Sequence, residues 1–412
     1  MSDSRPTDLS GFVADCERWL SDRLPPADAT GEPDSDVAVF HSLSHEAEAA
    51  LIRAAADWQA EKFAAGYGAL TWPKELGGSG LSPQHERAFA AVEKRYAVPA
   101  DHELRRITTN LVAPTLRDHG SALLQERYLR CFLGCRALVC QLFSEPGAGS
   151  DLASVATQAR RVGDGWVING SKVWVSGAQF ADYGLLLTRS DPRQPKHLGI
   201  TAFLLPMATT GVSVRPIRQM SGGTSFNEVF LDDVELDDEM RIGDVDGGWT
   251  VALAMLTYER NQSGSKTGVG GSWDQLRDLA LSRPHMMDPV TRDCLVQAYI
   301  GEQLRDVTRR RAEAARQRGE TPGPEGSLGK LLWATSLATI GRVASMLAGP
   351  DLVAEADGSG PYFWNAHVLG APGFRIAGGS DEIQRNIIGD RILGLPKEPD
   401  PYRTAAWSDL PR

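Results

Sequence analysis

The spacing of apolar residues divides the chain into three parts. From Ser44 to about residue 132, apolar residues recur every three or four positions, which predicts helices. From Ala137 onward, short β-type runs follow one another, and after Gly247-Gly248 the helical spacing resumes. The order of helices, then strands, then helices predicts a segregated α+β fold rather than alternating βαβ units.

These changes of pattern set the predicted domains. A helical N-terminal domain covers 1–136, and its polar, proline-rich arm 1–36 is expected to be loosely held around one short helix near Phe12 to Leu20. An antiparallel β-domain, a sandwich or small barrel, covers 137–243, with a hairpin signal at Asn169-Gly170. A helical bundle covers 244–412, with helices predicted at 249–262, 270–282, 288–317, 327–348 and 381–392.

Composition narrows the class of protein. Hydrophobic residues make up 42% of the 412 positions and charged residues 23%, which is normal for a globular protein with a sizeable core. The net charge of −10 disfavours a general nucleic-acid-binding surface. No run approaches the roughly 18–20 apolar residues of a membrane span, and the N-terminus lacks the pattern of a signal peptide. We therefore expect a cytoplasmic protein.

The cysteines carry no sign of a disulfide framework or a metal site. Their number is odd, no Cys-x-x-Cys pair occurs, and no histidine lies close by in sequence. Buried small apolar side chains are the favoured interpretation, and no metal is expected. The five positions are Cys16, Cys131, Cys135, Cys140 and Cys294.

Two segments of the β-domain have the composition of a ligand site. The run from Ser144 to Asp151 combines a proline, two glycines and two serines directly after an apolar strand, so its N–H groups can approach a ligand. A plain hairpin turn has the same composition. Further along, Trp174 and Ser176 share one face of a strand, which suits a flat cofactor with a polar edge. A core tryptophan is the alternative.

Together with other segments, these resemble the acyl-CoA dehydrogenase family, flavoproteins that desaturate acyl thioesters. The resemblance covers nearly the whole chain, and its other segments are the loop 72–78, Phe226 to Val234, Gly248-Trp249 and 378–385. It implies a helical N-terminal domain, a central β-domain and a C-terminal four-helix bundle, with FAD between them.

Site roles follow from the resemblance by matching position. Phe143 and Ser144 are expected at the flavin ring, where backbone and hydroxyl donors meet its polar edge. Trp174 is expected to flank the isoalloxazine, and Ser176 to bond to it. Ser150 is expected at the thioester end of the substrate. The positions expected near the ribityl or adenosine part of FAD are Ser380 and Glu382.

The family reaction removes an α-proton with a glutamate while the β-hydrogen leaves as hydride to the flavin. Most members carry this glutamate at the position that is Gly378 here, and a glycine cannot accept a proton. The Gly378 N–H can still serve as a donor to the thioester oxygen, because that role needs only backbone.

A subset that includes isovaleryl-CoA dehydrogenase carries the base on the first helix after the β-domain, directly before an arginine. The matching residues are Glu259 and Arg260, the second being expected to help bind the substrate. Independently, Glu259 extends a stripe formed by Ala252, Met255 and Leu256 at helical spacing, where a leucine would be expected. A solvated Glu–Arg pair at the helix end is the alternative. Because Gly378 leaves the usual base position without a carboxylate, the catalytic interpretation of Glu259 is favoured.

Two departures from the family pattern affect the expected contacts to FAD and therefore the expected partner subunits. The usual Arg-x-x-Phe-Gly contact to FAD is missing at 323–330, and Gln-x-x-Gly-Gly is degraded at 346–350. Such changes resemble an actinobacterial branch with heteromeric enzymes for branched or steroid side-chain thioesters. The resemblance implies a homo- or hetero-oligomer (dimer or tetramer) that passes electrons to an electron-transfer flavoprotein, with the acyl group on CoA or a carrier protein.

Three alternatives remain open at this point. One is an oxidase or monooxygenase of the same fold, in which reduced flavin meets oxygen. Another is a non-catalytic subunit that completes the FAD site of a partner, as Gly378 and the missing contact would allow. The third concerns Arg105-Arg106, which either meet a polar acyl terminus or form a solvated basic pair.

Overall fold

The N-terminal third is helical, as the sequence predicts. The computed structural model describes residues 8–27, 36–263, 269–318, 323–354 and 360–411. The helices of this part are α1 (Leu9–Ser21), α2 (His45–Ala64), α3 (Pro83–Glu93), α4 (Glu103–Arg106), α5 (Ala113–His119) and α6 (Ala122–Leu133). A π-helical segment, Ile107–Val112, joins α4 to α5.

Helix α1 anchors the segment that was expected to be a loose arm. The Asp8 carboxylate caps the helix by accepting a hydrogen bond from the Gly11 N–H at 2.9 Å. Phe12, Cys16 and Leu20 have no exposed surface, since their four-residue spacing turns one face toward the core of the N-terminal domain. The short helix expected near Phe12 to Leu20 is therefore confirmed as α1, but it packs into the core and is not loosely held. Residues 1–7 and 28–35 of the arm lie outside the described part.

The central part is a mostly antiparallel sheet. Its order is β6-β7-β3-β2-β4-β5-β8, with β1 paired to β4. The contacts of β4 with β1 and β2 are parallel, which the prediction of an antiparallel domain did not include. The strands are β1 (Val139–Leu142), β2 (Gln158–Val162), β3 (Gly165–Ser176), β4 (Tyr183–Arg189), β5 (Ile200–Pro206), β6 (Val212–Ile217), β7 (Phe226–Asp237) and β8 (Arg241–Ile242).

The hairpin expected at Asn169-Gly170 is wrong, because β3 continues through these residues with a shift in its pairing to β7 between Ile168 and Gly170. The turn lies earlier, where Val162 pairs with Gly165. Gly170 instead allows close approach of β3 to the segment before β2, since a Cβ at this position would lie 2.6 Å from the Thr157 hydroxyl oxygen.

The C-terminal third is helical and built around α10. Its helices are α7 (Gly248–Ser263), α8 (Trp273–Ser282), α9 (Pro289–Gln317), α10 (Gly326–Ala348), α11 (Trp364–Gly370) and α12 (Asp381–Arg391), of which only α11 was not predicted. The stretch Gly326–Leu352 is long and apolar enough to cross a membrane by length and composition alone, but 56% of its most apolar window is buried. Helix α10 contacts each of the other five helices, as the central helix of a bundle does.

Candidate active site

Strand β3 contains a bulge that exposes Trp174. Pairing with β7 shifts register between Lys172 and Val175, so the regular alternation of side chains breaks at Trp174. The Trp174 backbone has φ +60°, a conformation that costs an L-residue roughly 1–2 kcal/mol. Its side chain is 61% exposed, while its neighbours Val173 and Val175 are buried. The strained backbone thus presents a flat indole surface outside the core, as strained residues at ligand sites do.

The loop after β1 is fastened beside this bulge. The Val173 N–H donates to the Ser144 carbonyl at 2.9 Å, and the Lys172 ammonium donates to the Phe143 carbonyl at 3.0 Å. The loop then closes in a tight turn between Glu145 and Ala148, which exchange two backbone hydrogen bonds. The structure therefore brings Phe143 and Ser144 next to the strand that carries Trp174 and Ser176.

A buried ion pair lies behind the loop. The Lys172 ammonium is 2.7 Å from the Glu145 carboxylate, which also accepts hydrogen bonds from the Ala156 and Thr157 N–H groups at 2.6 and 3.0 Å. Burial raises the pKa of Glu145, but the charge of Lys172 and these hydrogen bonds outweigh it, so the pKa is lowered. Glu145 is thus held ionised and ties the loop to β3 and to the segment just before β2.

Helix α7 carries Glu259 on the side that it buries. Ala252 and Met255 have no exposed surface, and Glu259 is half-buried one turn further along the same stripe. Its Oε1 atom lies 3.0 Å from the point at which a Cβ on Gly378 would stand. The two residues that the sequence assigned to catalysis, on α7 and before α12, are therefore neighbours.

The turn that contains Gly378 is rigidly held. Gly378 and Gly379 have φ values of +65° and +84°, which favour glycine. The buried Gln384 amide donates to the carbonyls of both residues, at 3.1 and 3.2 Å. Within the described part of the chain, the Gly378 N–H donates to no acceptor. The residue beside the Glu259 carboxylate thus keeps a backbone donor unused.

Ser380 and Glu382 begin α12. The Ser380 hydroxyl oxygen caps the helix by accepting from the Ile383 N–H at 3.3 Å, and the hydroxyl hydrogen bonds to the Glu382 carboxylate. Glu382 is exposed in the first helical turn, where its own N–H and Ser380 lower the pKa of its carboxyl. Their contacts to a cofactor stay predictions.

The remaining predicted residues lie on the same elements or at the surface. The Arg260 guanidinium on α7 donates to the Thr257 hydroxyl at 2.9 Å. Burial, and then the nearby Arg391, lower the pKa of Arg260. Ser150 is exposed. The carboxylate of the next residue, Asp151, forms an ion pair with the Lys196 ammonium at 2.9 Å. The substrate contacts expected of Arg260 and Ser150 stay predictions.

A row of aromatic rings joins the two halves of the site. Trp174 meets Phe226 edge to face at 6.3 Å between ring centroids, and Phe226 meets Phe40 at 5.4 Å. Phe40 stacks on Phe374 at 4.9 Å, four residues before Gly378. The row thus connects the bulge in β3 with the turn before α12. No periodicity in the sequence marks Phe40, because its partners come from distant elements.

Arg105 and Arg106 are engaged by a single carboxylate. Asp101 accepts from the Arg105 guanidinium at 2.8 Å and from that of Arg106 at 3.2 Å. Burial raises the pKa of Asp101, but its hydrogen bond and charge interaction with Arg105 outweigh this and lower it. The two arginines thus share one carboxylate, and the side chains of Arg106 and Asp101 are 35% and 37% exposed. A contact with a polar acyl terminus stays a prediction.

Sequence reasoning missed the two buried lysines of this region. Lys172 has no exposed surface in β3, and Lys330 is 1% exposed in α10. The sequence does indicate that Lys330 is buried, because it lies three or four residues from Ser327 and Ala334 on the helix face that also buries Leu337. Glu259 was identified in the same way, as a charged residue within the apolar stripe of a helix.

Comparisons with known proteins agree with this arrangement. Residues 140–234 match the middle domain of acyl-CoA dehydrogenases, and 246–393 match their C-terminal domain. The acyl-CoA dehydrogenase IpdE1 of Mycobacterium tuberculosis is 37% identical, over 95% of this chain and 99% of its own. A solved structure described as "Tcur3481-Tcur3483 steroid ACAD" is 25% identical with a TM-score of 0.72, and covers 96% of this chain and 100% of its own. The chain therefore belongs to the acyl-CoA dehydrogenase family.

Proposed function

We propose that the protein desaturates an acyl thioester between the α- and β-carbons in an FAD-dependent reaction, with Glu259 as the α-proton base. One observation carries this proposal. The Glu259 Oε1 atom lies 3.0 Å from the point at which a Cβ on Gly378 would stand, which supports Glu259 as the replacement for the carboxylate that most of the family carries at this position. It also argues against a non-catalytic subunit, which has no need of a carboxylate at this point.

The residues around Glu259 suit proton abstraction next to a thioester. The α-carbon loses its proton to a Glu259 carboxylate oxygen, and the electron pair of that C–H bond forms the α,β-double bond as the β-hydrogen departs. Negative charge builds on the thioester oxygen meanwhile, and the unused Gly378 N–H is a preorganised donor for it. Gln384 holds the two peptide groups that follow this N–H, so the turn that carries the donor needs little reorganisation.

The β-domain residues fit a flavin. The exposed indole of Trp174 offers a flat surface, and a Cβ on Gly147 or Gly149 would meet nothing within 4 Å, which leaves room at the loop. Phe143, Ser144, Trp174 and Ser176 would hold the ring system, and Ser380 and Glu382 the remainder. The chemistry that bound FAD supplies is acceptance of the β-hydrogen as hydride.

Purification of the chain alone, followed by anaerobic titration with a panel of acyl thioesters, tests the proposed function. The panel should include straight, branched and polycyclic acyl groups, because one similar structure is described as a steroid ACAD. We expect a yellow protein whose flavin colour bleaches with at least one thioester. Peroxide formed from substrate in air without another acceptor would instead favour an oxidase, and a colourless chain that binds flavin only with a partner would favour the non-catalytic subunit.

An electron-transfer flavoprotein is the acceptor that we propose for the reduced flavin. To test this acceptor, steady-state turnover of a thioester is measured with purified electron-transfer flavoprotein and compared with turnover in air alone. Faster turnover with the flavoprotein supports the proposal.

Helix α9 presents a surface for an oligomer. Val296, Ile300, Leu304 and Val307 recur every three or four residues and are all exposed, Leu304 by 54%. A contiguous exposed apolar stripe is typical of an interface. Its proposed occupant is a second copy of the chain or a homologous partner subunit.

The change Leu304→Arg tests this surface. We expect it to dissociate the oligomer, because a guanidinium at the centre of an apolar interface loses its water without gaining a partner. Mass measurement by light scattering after size-exclusion chromatography reads the result. Val162→Arg, an equally exposed apolar position on β2, should leave the mass unchanged. An unaltered mass in Leu304→Arg would place the interface elsewhere.

The change Gly378→Ala tests the packing of the turn against Glu259. The new Cβ would lie 3.0 Å from the Glu259 carboxylate on a backbone with φ +65°, so we expect a loss of about 1–2 kcal/mol in the free energy of unfolding and slower flavin reduction. Urea unfolding and stopped-flow absorbance measure the two effects. Gly301→Ala, where nothing lies within 4 Å, is the matched control and should stabilise helix α9 by up to about 1 kcal/mol.

A further inference from the structure

Lys330 is a buried cation in the centre of the bundle. It lies on α10 with 1% of its surface exposed, among apolar residues of the helix. An ammonium group loses much hydration free energy on burial and is retained where a partner compensates it. The surroundings of Lys330 should therefore contain a group that benefits from its charge.

The immediate contacts of Lys330 lead to the catalytic turn. Its ammonium donates to the Phe374 carbonyl, in the segment that precedes Gly378. Its Cε atom lies 3.8 Å from the point where a Cβ on Gly378 would stand, and the Glu259 Oε1 atom lies 3.0 Å from the same point. The stem of Lys330 and the carboxylate of Glu259 therefore both border the point where a side chain on Gly378 would begin. A carbonyl takes up one of three ammonium donors and leaves the positive charge in place.

The other charged groups near Glu259 are more solvated or otherwise engaged. Tyr258, the preceding residue, binds Asp118 and Arg117 on α5. Arg260 on α7 donates to Thr257, and its charge interacts with that of Arg391 on α12 and with that of Glu259 itself. Lys330 approaches the same point in front of Gly378 from α10, and it is more deeply buried than Arg117, Arg260 or Arg391.

We propose that Lys330 is a positioning residue, whose buried ammonium keeps Glu259 ionised and directed past Gly378 when substrate excludes water from the site. This inference rests on the proposed function of Glu259. The physical reason is that desolvation alone would favour the protonated carboxyl, which cannot accept the α-proton, whereas a cation within a few ångströms favours the ionised form.

A double-mutant cycle tests the pairing without any assay of activity. Urea midpoints would be measured for the flavin-bound wild type, Glu259→Gln, Lys330→Met and the double variant. We expect Lys330→Met to lower the midpoint strongly in the wild type and much less in Glu259→Gln, because the neutral amide no longer needs a cation. Combining Glu259→Gln with Lys172→Met, which removes a buried lysine elsewhere, should give additive shifts. Additivity of Glu259→Gln with Lys330→Met would overturn the proposal.

The pH dependence of flavin reduction supplies the functional readout. Removing the cation should move the acid side of the rate profile of Lys330→Met to higher pH by about one unit or more, and Lys330→Arg should move it back. An unmoved profile in folded Lys330→Met overturns the proposal. If Lys330→Met does not fold, Lys330→Gln keeps a donor for Phe374 and serves in both measurements. Failure of every thioester to reduce the wild type would refute the proposed function, whereas the cycle would still report on the pair.

Discussion

Replacing Glu259 with glutamine should slow the bleaching of flavin by a thioester substrate by about 10²–10⁴-fold while leaving the flavin bound. The amide is nearly isosteric with the carboxylate, but it cannot accept the α-proton. Because Glu259 lies on α7, which carries none of the residues expected to hold the flavin ring, cofactor binding should persist. Stopped-flow absorbance under anaerobic conditions measures the rate, and the flavin spectrum before mixing measures occupancy.

A matched variant shows whether slower bleaching is specific to Glu259 or follows from removing a negative charge anywhere on the protein. Glu235 lies exposed on β7, so Glu235→Gln should bleach at the wild-type rate. If Glu259→Gln bleached as fast as the wild type, the assignment of the base would be wrong.

Replacing Glu145 with glutamine should destabilise the protein by about 3–5 kcal/mol, because Lys172 would remain buried without a counter-charge. The Ala156 and Thr157 N–H groups would also lose their carboxylate acceptor. The free energy of unfolding in urea measures the loss. Glu61→Gln breaks the more exposed pair with Arg23, and should cost less than about 1 kcal/mol.

The same pair predicts a dependence of stability on pH. The pKa of Glu145 is lowered in the folded protein, so its contribution to stability is present above the unfolded value and is lost as the pH falls through the folded value. The stability difference between the wild type and Glu145→Gln should therefore shrink toward acid pH. A difference that stays constant from neutral to acid pH would mean that the charge of Glu145 does not stabilise the fold.

The features that the sequence predicted well rest on local periodicity. The stripe of Ala252 and Met255 places Glu259 on the inner face of α7, and that face is buried in the structure. The helices and the mostly antiparallel sheet follow from the same kind of pattern. The meeting of Glu259 with Gly378 followed from the family resemblance, since the two residues are far apart in the chain and no local pattern links them.

Features that depend on tertiary contacts were not predictable in this way. Asn169-Gly170 has the composition of a hairpin turn, yet the approach of β3 to Thr157 uses the glycine inside a strand. The bulge at Trp174 arises from a shift in pairing with β7, which strand alternation cannot reveal. Lys172 supports the loop because β3 brings it to Glu145, which is far away in sequence.

The most direct test of the central claim is exchange of the substrate α-hydrogen with deuterium oxide. A thioester whose β-carbon carries no hydrogen cannot be desaturated, so any exchange reports α-proton abstraction alone. We expect deuterium to enter the α-position in the presence of the wild type and of Glu235→Gln, and to enter no faster than without enzyme in the presence of Glu259→Gln. Exchange by Glu259→Gln at the wild-type rate would contradict the assignment of Glu259 as the base.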